Sequence, residues 1–410
     1  MRLPEGSEVR VEKGGVVYEG RAMPSPEGVL IIKLENGYNV GLRIDPSLKV
    51  VEIGKGAKGS KRSKRSKGPK RVGGGRVAIL GTGGTIASYV DYTTGAVHPA
   101  RNTSELLSYI PEILEVADVE AKIVFSILSE DMVPENWRAL AEEVKREFDG
   151  GCKGVVITHG TDTMSYTASA LAFIIREQSG PVVLTGSQRS TDRPSSDGFL
   201  NLLYSTRAAL TDLGEVVVAM HEGSSDGRVA LHRACRVRKM HTSARGAFKS
   251  VDVEPIGYVY PDRVYLGEHD GVEDKTVVDL AMDDKVGILY SYPGLDVALF
   301  EAFSEKLDGL VMAGTGLGHC PSAIVPSIKK MVEDGRPVIM TSQCIYGRPN
   351  LNVYSRGRDL LRAGVLVCDM LPEVAMVKLG WVLGHTKDPE EVRELMEREL
   401  AHEFCYRRFL

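Results

Sequence analysis

The chain has 410 residues, 43% apolar and 26% charged, an ordinary globular composition and too long for one small core, so two or three domains are expected. A net charge of −4 excludes nucleic-acid binding by bulk electrostatics, so any such contact must be local. No window approaches the roughly 18 uncharged apolar residues of a membrane span, the opening "MRLPEGSEVR" has no apolar signal core, and the expected location is the cytoplasm.

Residues 1–55 read as a small all-β barrel domain. The runs "EVRV", "GVVYEG", "GVLIIKL" and "YNVGLRI" are short and β-rich, and Asn36-Gly37 between the last two is a strong hairpin signal. Residues 56–75 form a basic linker within "GKGAKGSKRSKRSKGPKRVGGG", where lysine, arginine, glycine and serine without any acid cannot build a core. Two readings stay open for it: a solvated tether, or a basic arm that touches phosphates.

From residue 76 the pattern changes to α/β. "RVAIL", "KIVFSIL", "GVVIT", "PVVLT" and "EVVVAM" are valine- and isoleucine-rich, as strands buried on both faces must be. Between them Trp137, Leu140, Ala141, Val144 and Phe148 recur at helical spacing after Pro134. A second set, "VGILYSY", "GLVMAGTG" and "PVIMTS", begins after the break "HDGVEDKTVVDLAMDD". The expected fold class is therefore α/β, with two parallel-sheet domains at 76–284 and 285–410 behind the small β-barrel. The six cysteines, Cys152, Cys235, Cys320, Cys344, Cys368 and Cys405, form no C-x-x-C pair, which argues against a zinc ribbon or a disulfide framework and for reduced, mostly buried thiols.

Open parallel sheets bind ligands beyond the carboxyl ends of their strands, and here those ends share one vocabulary: "TGGT", "THGTDT" and "TGSQR". A dinucleotide fingerprint fails because Ile86 stands where the last glycine belongs, and no Gly-Lys-Ser/Thr follows to make a P-loop. Thr82 and Thr85 could simply cap the next helix. A threonine hydroxyl that acts as a nucleophile needs a base, and a lysine oriented by a carboxylate can serve. His159 is read as orienting its turn rather than taking a proton.

"TGGTIA" at 82–87, "THGTDTM" at 158–164, "TGSQR" at 185–189 and "SSDGFLNL" at 195–202 occur in the order and at intervals similar to the bacterial-type L-asparaginase family. The resemblance runs from about residue 76 to the C-terminus and implies two asparaginase-like domains. It implies Thr85 as nucleophile, and Thr161, Asp162 and Lys239 as the proton-handling set. Lys239 is placed by counting back from "FKSV", with Arg236 and Arg238 as near neighbours. It further implies that Tyr92 assists the nucleophile and that Ser129 holds the substrate's α-carboxylate, against the plainer readings of a loop aromatic and a strand-end serine. The implied chemistry is amide hydrolysis through an acyl-enzyme, with no metal.

Plain asparaginases lack the first 75 or so residues. The whole arrangement resembles the D subunits of archaeal tRNA-dependent amidotransferases, which implies a glutaminase that supplies ammonia for Glu-tRNA(Gln). The implied partners are an E subunit that uses ATP and Mg, the Glu-tRNA(Gln) it carries, and a second copy of this chain in a two-D, two-E assembly. A free-standing L-asparaginase is the alternative. The segment "CIYGRPNLNVYSRGRDLL" replaces the one where asparaginases place an acid from a neighbouring subunit, so that acid is not carried over and the choice between glutamine and asparagine stays open.

Overall fold

The computed structural model describes residues 7–23, 25, 28–34, 39–54, 75–83, 88–90, 97–99, 112–189 and 196–405. The expectations for the linker up to residue 74, for Thr85 and for Tyr92 lie outside these residues.

The N-terminal strands β1 (Glu8–Lys13), β2 (Val16–Met23), β3 (Val29–Leu34), β4 (Asn39–Arg43) and β5 (Lys49–Gly54) form an antiparallel sheet in the order β4-β3-β2-β1-β5. Alternation sends Val9, Val11, Ala22, Leu30, Ile32 and Leu42 to one face, where they bury one another. Among the described residues no other segment contributes to that core. This is the all-β unit the sequence predicts, with β4 and β5 at its edges and no pairing between them among the described residues.

The body begins with β6 (Arg76–Gly81), a small hairpin β7 (Ser88–Val90) and β8 (Val97–Pro99), then β9 (Asp118–Ile123), β10 (Gly154–Thr158), β11 (Ile175–Glu177), β12 (Val182–Thr185) and β13 (Val216–His221). Strands β9-β6-β10-β12-β13 lie parallel in that order. Alternate residues of one strand enter different layers. Ala78 and Leu80 pack with helices Pro134–Asp149 and Met164–Ile174, while Val77 and Ile79 pack with helix Gly198–Ala208. The helix Pro134–Asp149 buries Trp137, Leu140, Ala141, Val144 and Phe148, the stripe expected of it.

The sheet is not wholly parallel. Strands β14 (Val229–Arg233), β17 (Gly257–Val259) and β18 (Val264–Leu266) extend it in antiparallel fashion, and β15 (Val237–Lys239) pairs with β16 (Phe248–Ser250) in a separate ribbon. No α-helix stands between these strands, only loops, the ribbon and a short 3₁₀ turn at Ala234–Arg236, so the strand-helix alternation that signals parallel pairing is absent there. The run "KIVFSIL" at 122–128 is also not one strand. It leaves the sheet after Ile123, because the Gly81 carbonyl accepts both the Val124 and the Phe125 N–H and the chain then folds over the end of β6.

After a short strand β19 (Val277–Val278), the C-terminal domain is a four-stranded parallel sheet of β20 (Val286–Tyr290), β21 (Gly309–Gly314), β22 (Val338–Ser342) and β23 (Leu366–Val367). Its helix Pro372–His385 packs against helix Met164–Ile174 of the first domain as well as against β21, so the two domains share one apolar core. Five cysteines are buried, Cys344 is exposed and none forms a disulfide. No helix is long and apolar enough to cross a membrane among the described residues.

Candidate active site

In the order β9-β6-β10-β12-β13 the second strand in sequence lies outside the first, and the third lies on the first strand's other side. That leaves a topological switch point between the carboxyl ends of β6 and β10, where open α/β sheets place their ligands. Thr82 and Gly83, which open "TGGT", and the motif "THGTDT" leave the sheet at these two ends.

Thr82, the first residue past β6, is pinned to β10. Its N–H and its hydroxyl both donate to the Thr158 carbonyl, each at 3.0 Å. The hydroxyl of Thr82 is therefore spent on backbone and is not a reactive group. Gly83 follows with φ +110°, and a Cβ there would lie 2.3 Å from the Ile127 carbonyl oxygen, so only glycine fits.

At the end of β10, His159 is fully buried. Its Nε2 meets the Thr167 hydroxyl at 2.9 Å and its Nδ1 the Gly160 carbonyl at 2.6 Å. Thr167 already accepts from the Trp137 indole N–H at 3.1 Å, so its own proton goes to Nε2 and Nδ1 carries the imidazole hydrogen. Burial pushes the ring's pKa down to about 4, which keeps it neutral. His159 thus braces the turn, as the sequence reading holds.

Gly160 lets Ser129 approach: a Cβ at Gly160 would lie 2.6 Å from the Ser129 Cβ and 2.9 Å from its Oγ. Ser129 is buried, and its carbonyl accepts from the Thr163 hydroxyl at 2.6 Å. It therefore sits against the Thr161–Asp162 loop, on a short 3₁₀ turn rather than at a strand end.

The reactive groups meet one residue further on. The Lys239 ammonium donates to the Thr161 hydroxyl at 2.8 Å and to the Asp162 Oδ1 at 2.8 Å. Thr161 accepts on this side and keeps its own proton to direct elsewhere. The Lys239 side chain is 13% exposed, whereas the Asp162 carboxylate is 70% exposed and open to a cationic ligand. Arg236 and Arg238 are not alternatives to Lys239, because both turn to acids of the C-terminal domain. Arg236 lies against Asp369, and the Arg238 guanidinium is 3.4 Å from the Glu373 Oε2. Three of the four expected catalytic residues, Thr161, Asp162 and Lys239, therefore converge, and Thr85 and Tyr92 fall outside the described residues.

Two supporting residues were not singled out from the sequence. Asp197 is fully buried and accepts from the Ser187 hydroxyl at 2.9 Å, the Gln188 N–H at 3.0 Å, the Arg189 N–H at 3.1 Å and the Asn201 amide at 3.1 Å. Asn201 also donates to the Gly186 carbonyl at 2.8 Å. Together they hold the "TGSQR" loop onto the start of helix Gly198–Ala208. The Asp-x-x-x-Asn spacing inside "SSDGFLNL", one helical turn, is the signal that could have revealed them.

A cavity of about 410 Å³ lies at the opposite, amino-terminal edge of the sheet, lined in part by Arg233, Glu215, Asp270 and His402. Glu215, Asp270 and His402 bring three possible metal-ligand atoms together. Arg233 engages both oxygens of Glu215, at 2.9 and 3.1 Å, and His402 lies 2.8 Å from Asp270, so the group is already closed as a salt-bridge network. It takes no part in the chemistry at the switch point.

The family profiles agree with this layout: "Asparaginase, N-terminal" matches residues 76–270, "Glutaminase/Asparaginase C-terminal domain" matches 285–396, and "GatD N-terminal domain" matches 3–53. Among solved structures, the thermostable L-asparaginase from Thermococcus kodakarensis superposes with a TM-score of 0.74 at 34% identity, covering 80% of this chain and 99% of that one. L-asparaginase I from Vibrio cholerae gives 0.70 at 28% identity, covering 81% and 99%. The D subunit of glutamyl-tRNA(Gln) amidotransferase from Thermococcus kodakarensis is 49% identical over 99% of this chain and 96% of its own length. Its counterpart from Pyrococcus horikoshii is 47% identical, covering 96% and 92%. With an asparaginase-like body, the N-terminal domain typical of D subunits and this identity along nearly its full length, the chain belongs to the family of glutamyl-tRNA(Gln) amidotransferase D subunits.

Proposed function

We propose that this chain releases ammonia from glutamine as the D subunit of the tRNA-dependent amidotransferase that converts Glu-tRNA(Gln) to Gln-tRNA(Gln), with Thr85 as the nucleophile. The observation that carries the chemistry is the Lys239 amine held at 2.8 Å from both Thr161 and Asp162 at the switch point. Thr85 follows the pinned Thr82 by three residues in sequence, and Thr82 stands at the end of the strand next to the one that leads to Thr161 and Asp162.

In this reading the Thr85 oxygen attacks the side-chain amide carbon of glutamine, and the proton it gives up passes into the Thr161, Lys239 and Asp162 set. Backbone N–H groups at the strand ends hold the developing oxyanion. The C–N bond breaks, the amine takes a proton and leaves as ammonia, and a γ-glutamyl ester remains on Thr85. Water then cleaves the ester and returns the hydroxyl. Asp162, exposed on the ligand side, pairs with the substrate's α-ammonium, while Ser129 and Tyr92 serve the α-carboxylate and the nucleophile.

Ammonia free in water near neutral pH is protonated and no longer nucleophilic. The acceptor site must therefore be docked, which gives the complex its purpose. The partner is an E subunit that binds Glu-tRNA(Gln) and uses ATP and Mg to activate its glutamyl ester, two copies of each chain making the assembly. Identity to D subunits over 99% of the chain, including the separate N-terminal sheet, supports this reading over a free-standing L-asparaginase.

The test is glutamine hydrolysis by the purified chain, with and without the E subunit and Glu-tRNA(Gln). Stimulation by both is expected. Equal turnover without them would favour the free-standing asparaginase, and unchanged activity in Thr85→Ala would refute the mechanism.

A further inference from the structure

We propose that Glu373, acting through Arg238, is a positioning residue that holds the Lys239 amine in register with Thr161 and Asp162. The proposal rests on the reading above that Lys239 handles the proton.

Lys239 is carried by β15, and β15 is not part of the eight-stranded sheet. It pairs only with β16, over three residue pairs, in a ribbon of its own. The ladder that fixes β6 and β10 relative to one another therefore does not fix β15. Val237 and Phe248 anchor the ribbon in the core by packing, which is not directional, and the Ser250 hydroxyl meets the His232 ring of β14 at 2.8 Å only at the end of the ribbon away from Lys239. A lysine at the end of a long, rotatable stem needs its backbone placed more closely than that.

Arg238 supplies the direction. It precedes Lys239 on an extended strand, so the two side chains leave on opposite faces. Lys239 reaches the catalytic loop on one side. Arg238 reaches Glu373 on the other, at 3.4 Å. Glu373 is buried at 4% exposure in the first turn of helix Pro372–His385, where the helix's positive end favours a carboxylate. Arg236, two residues earlier, reaches the Asp369 carbonyl at 3.3 Å, in the segment that leads into the helix of Glu373. The C-terminal domain thus grips both ends of the short segment that presents the lysine.

This grip is a poor device for stability. Burying an ion pair costs about as much desolvation as the attraction returns, and apolar replacements of similar volume are often neutral or better. Burial raises the proton affinity of Glu373, and the Arg238 charge, with a backbone hydrogen bond, opposes the rise. What the pair provides is a fixed orientation.

The test uses the full chain in complex with its partner subunit. kcat and KM for ammonia release from glutamine are measured beside the thermal unfolding temperature. The variants are Arg238→Lys, Arg238→Met, the double variant Arg238→Met with Glu373→Met, and Lys239→Met as the reference for loss of the base. The double variant should unfold at or above the parent's temperature and lose about tenfold or more in kcat, with KM within about twofold, as misplacement of a reacting group predicts. Arg238→Lys should retain more activity than Arg238→Met. A double variant with parental kcat, or one whose kcat and unfolding temperature fall together, overturns the positioning role. So does equal activity in Arg238→Lys and Arg238→Met. Full activity in Lys239→Met would instead overturn the reading of the site on which the proposal stands.

Discussion

Replacing Gly83 with alanine perturbs the turn that delivers Thr85 without touching a reactive group. The added methyl would sit 2.3 Å from the Ile127 carbonyl oxygen and 3.0 Å from the Ile127 nitrogen, at a φ of +110°. An ordinary carbon-oxygen contact is about 3.3–3.6 Å, so either Ile127 or the backbone at 82–83 must move by about 1 Å. The strained backbone adds on the order of 1–3 kcal/mol. Ile127 cannot yield freely, because its N–H donates to the Thr82 carbonyl at 3.3 Å and ties the two segments together. A shift of about 1 Å near a reacting atom lowers the rate by roughly 10²-fold. Gly83→Ala should therefore fold, lose about 1–3 kcal/mol in urea unfolding, and fall by roughly 10²-fold in kcat for ammonia release. Parental kcat in a folded Gly83→Ala protein would mean that this turn does not set the nucleophile's place.

Asp197→Ala strips the acceptor from the Ser187 hydroxyl and from the Gln188 and Arg189 N–H groups. The Ser187 hydroxyl still donates to the Arg189 carbonyl and accepts from the Arg189 N–H, so the Gln188 N–H is the donor that loses its acceptor, and a loss of about 1–3 kcal/mol in chemical unfolding is expected, with Asp197→Asn milder. His159 is held neutral with a pKa of about 4 against an ordinary 6.5, so the unfolded chain takes up the proton first as the pH falls. Stability should be full above 6.5 and decline toward pH 4; unfolding midpoints measured across that range should show a shallower slope in His159→Gln, with His232, lowered to about 3 by burial, still contributing. Lys378 and Glu403 form a fully buried pair at 2.6 Å, so Glu403→Ala leaves an uncompensated buried ammonium and should cost about 3–5 kcal/mol in a denaturant titration.

Most of this architecture is legible in the chain because strand and helix periods leave different marks. Val77, Ile79 and their neighbours Ala78 and Leu80 are all apolar, and the structure explains why: each pair has a helical layer of its own to enter. The same signal misleads at residues 124–128, where an apolar run packs over a strand end without joining the sheet, since hydrophobicity reports burial and not ladder pairing. The convergence of Thr161, Asp162 and Lys239 follows from the motifs and the family resemblance. What draws Arg238 away from the site that Lys239 faces is Glu373, a residue more than a hundred positions away that no local count can reach. Asp197 escaped notice for a related reason. Two of its four donors are backbone N–H groups, which every residue carries, so the spacing to Asn201 is the main trace it leaves in side-chain identity.

The distance in sequence between Arg238 and Glu373 also bears on biosynthesis. A ribosome adds residues one after another, and all the residues assigned to chemistry emerge well before the carboxylate that braces their lysine does. A nascent chain that has exposed residues 76–250 already holds the groups of a glutaminase but not the framework that aligns them. On the roles proposed for Lys239 and Glu373, ammonia release by an incomplete polypeptide, which has no acceptor to hand the product to, is slowed until the C-terminal domain has been made.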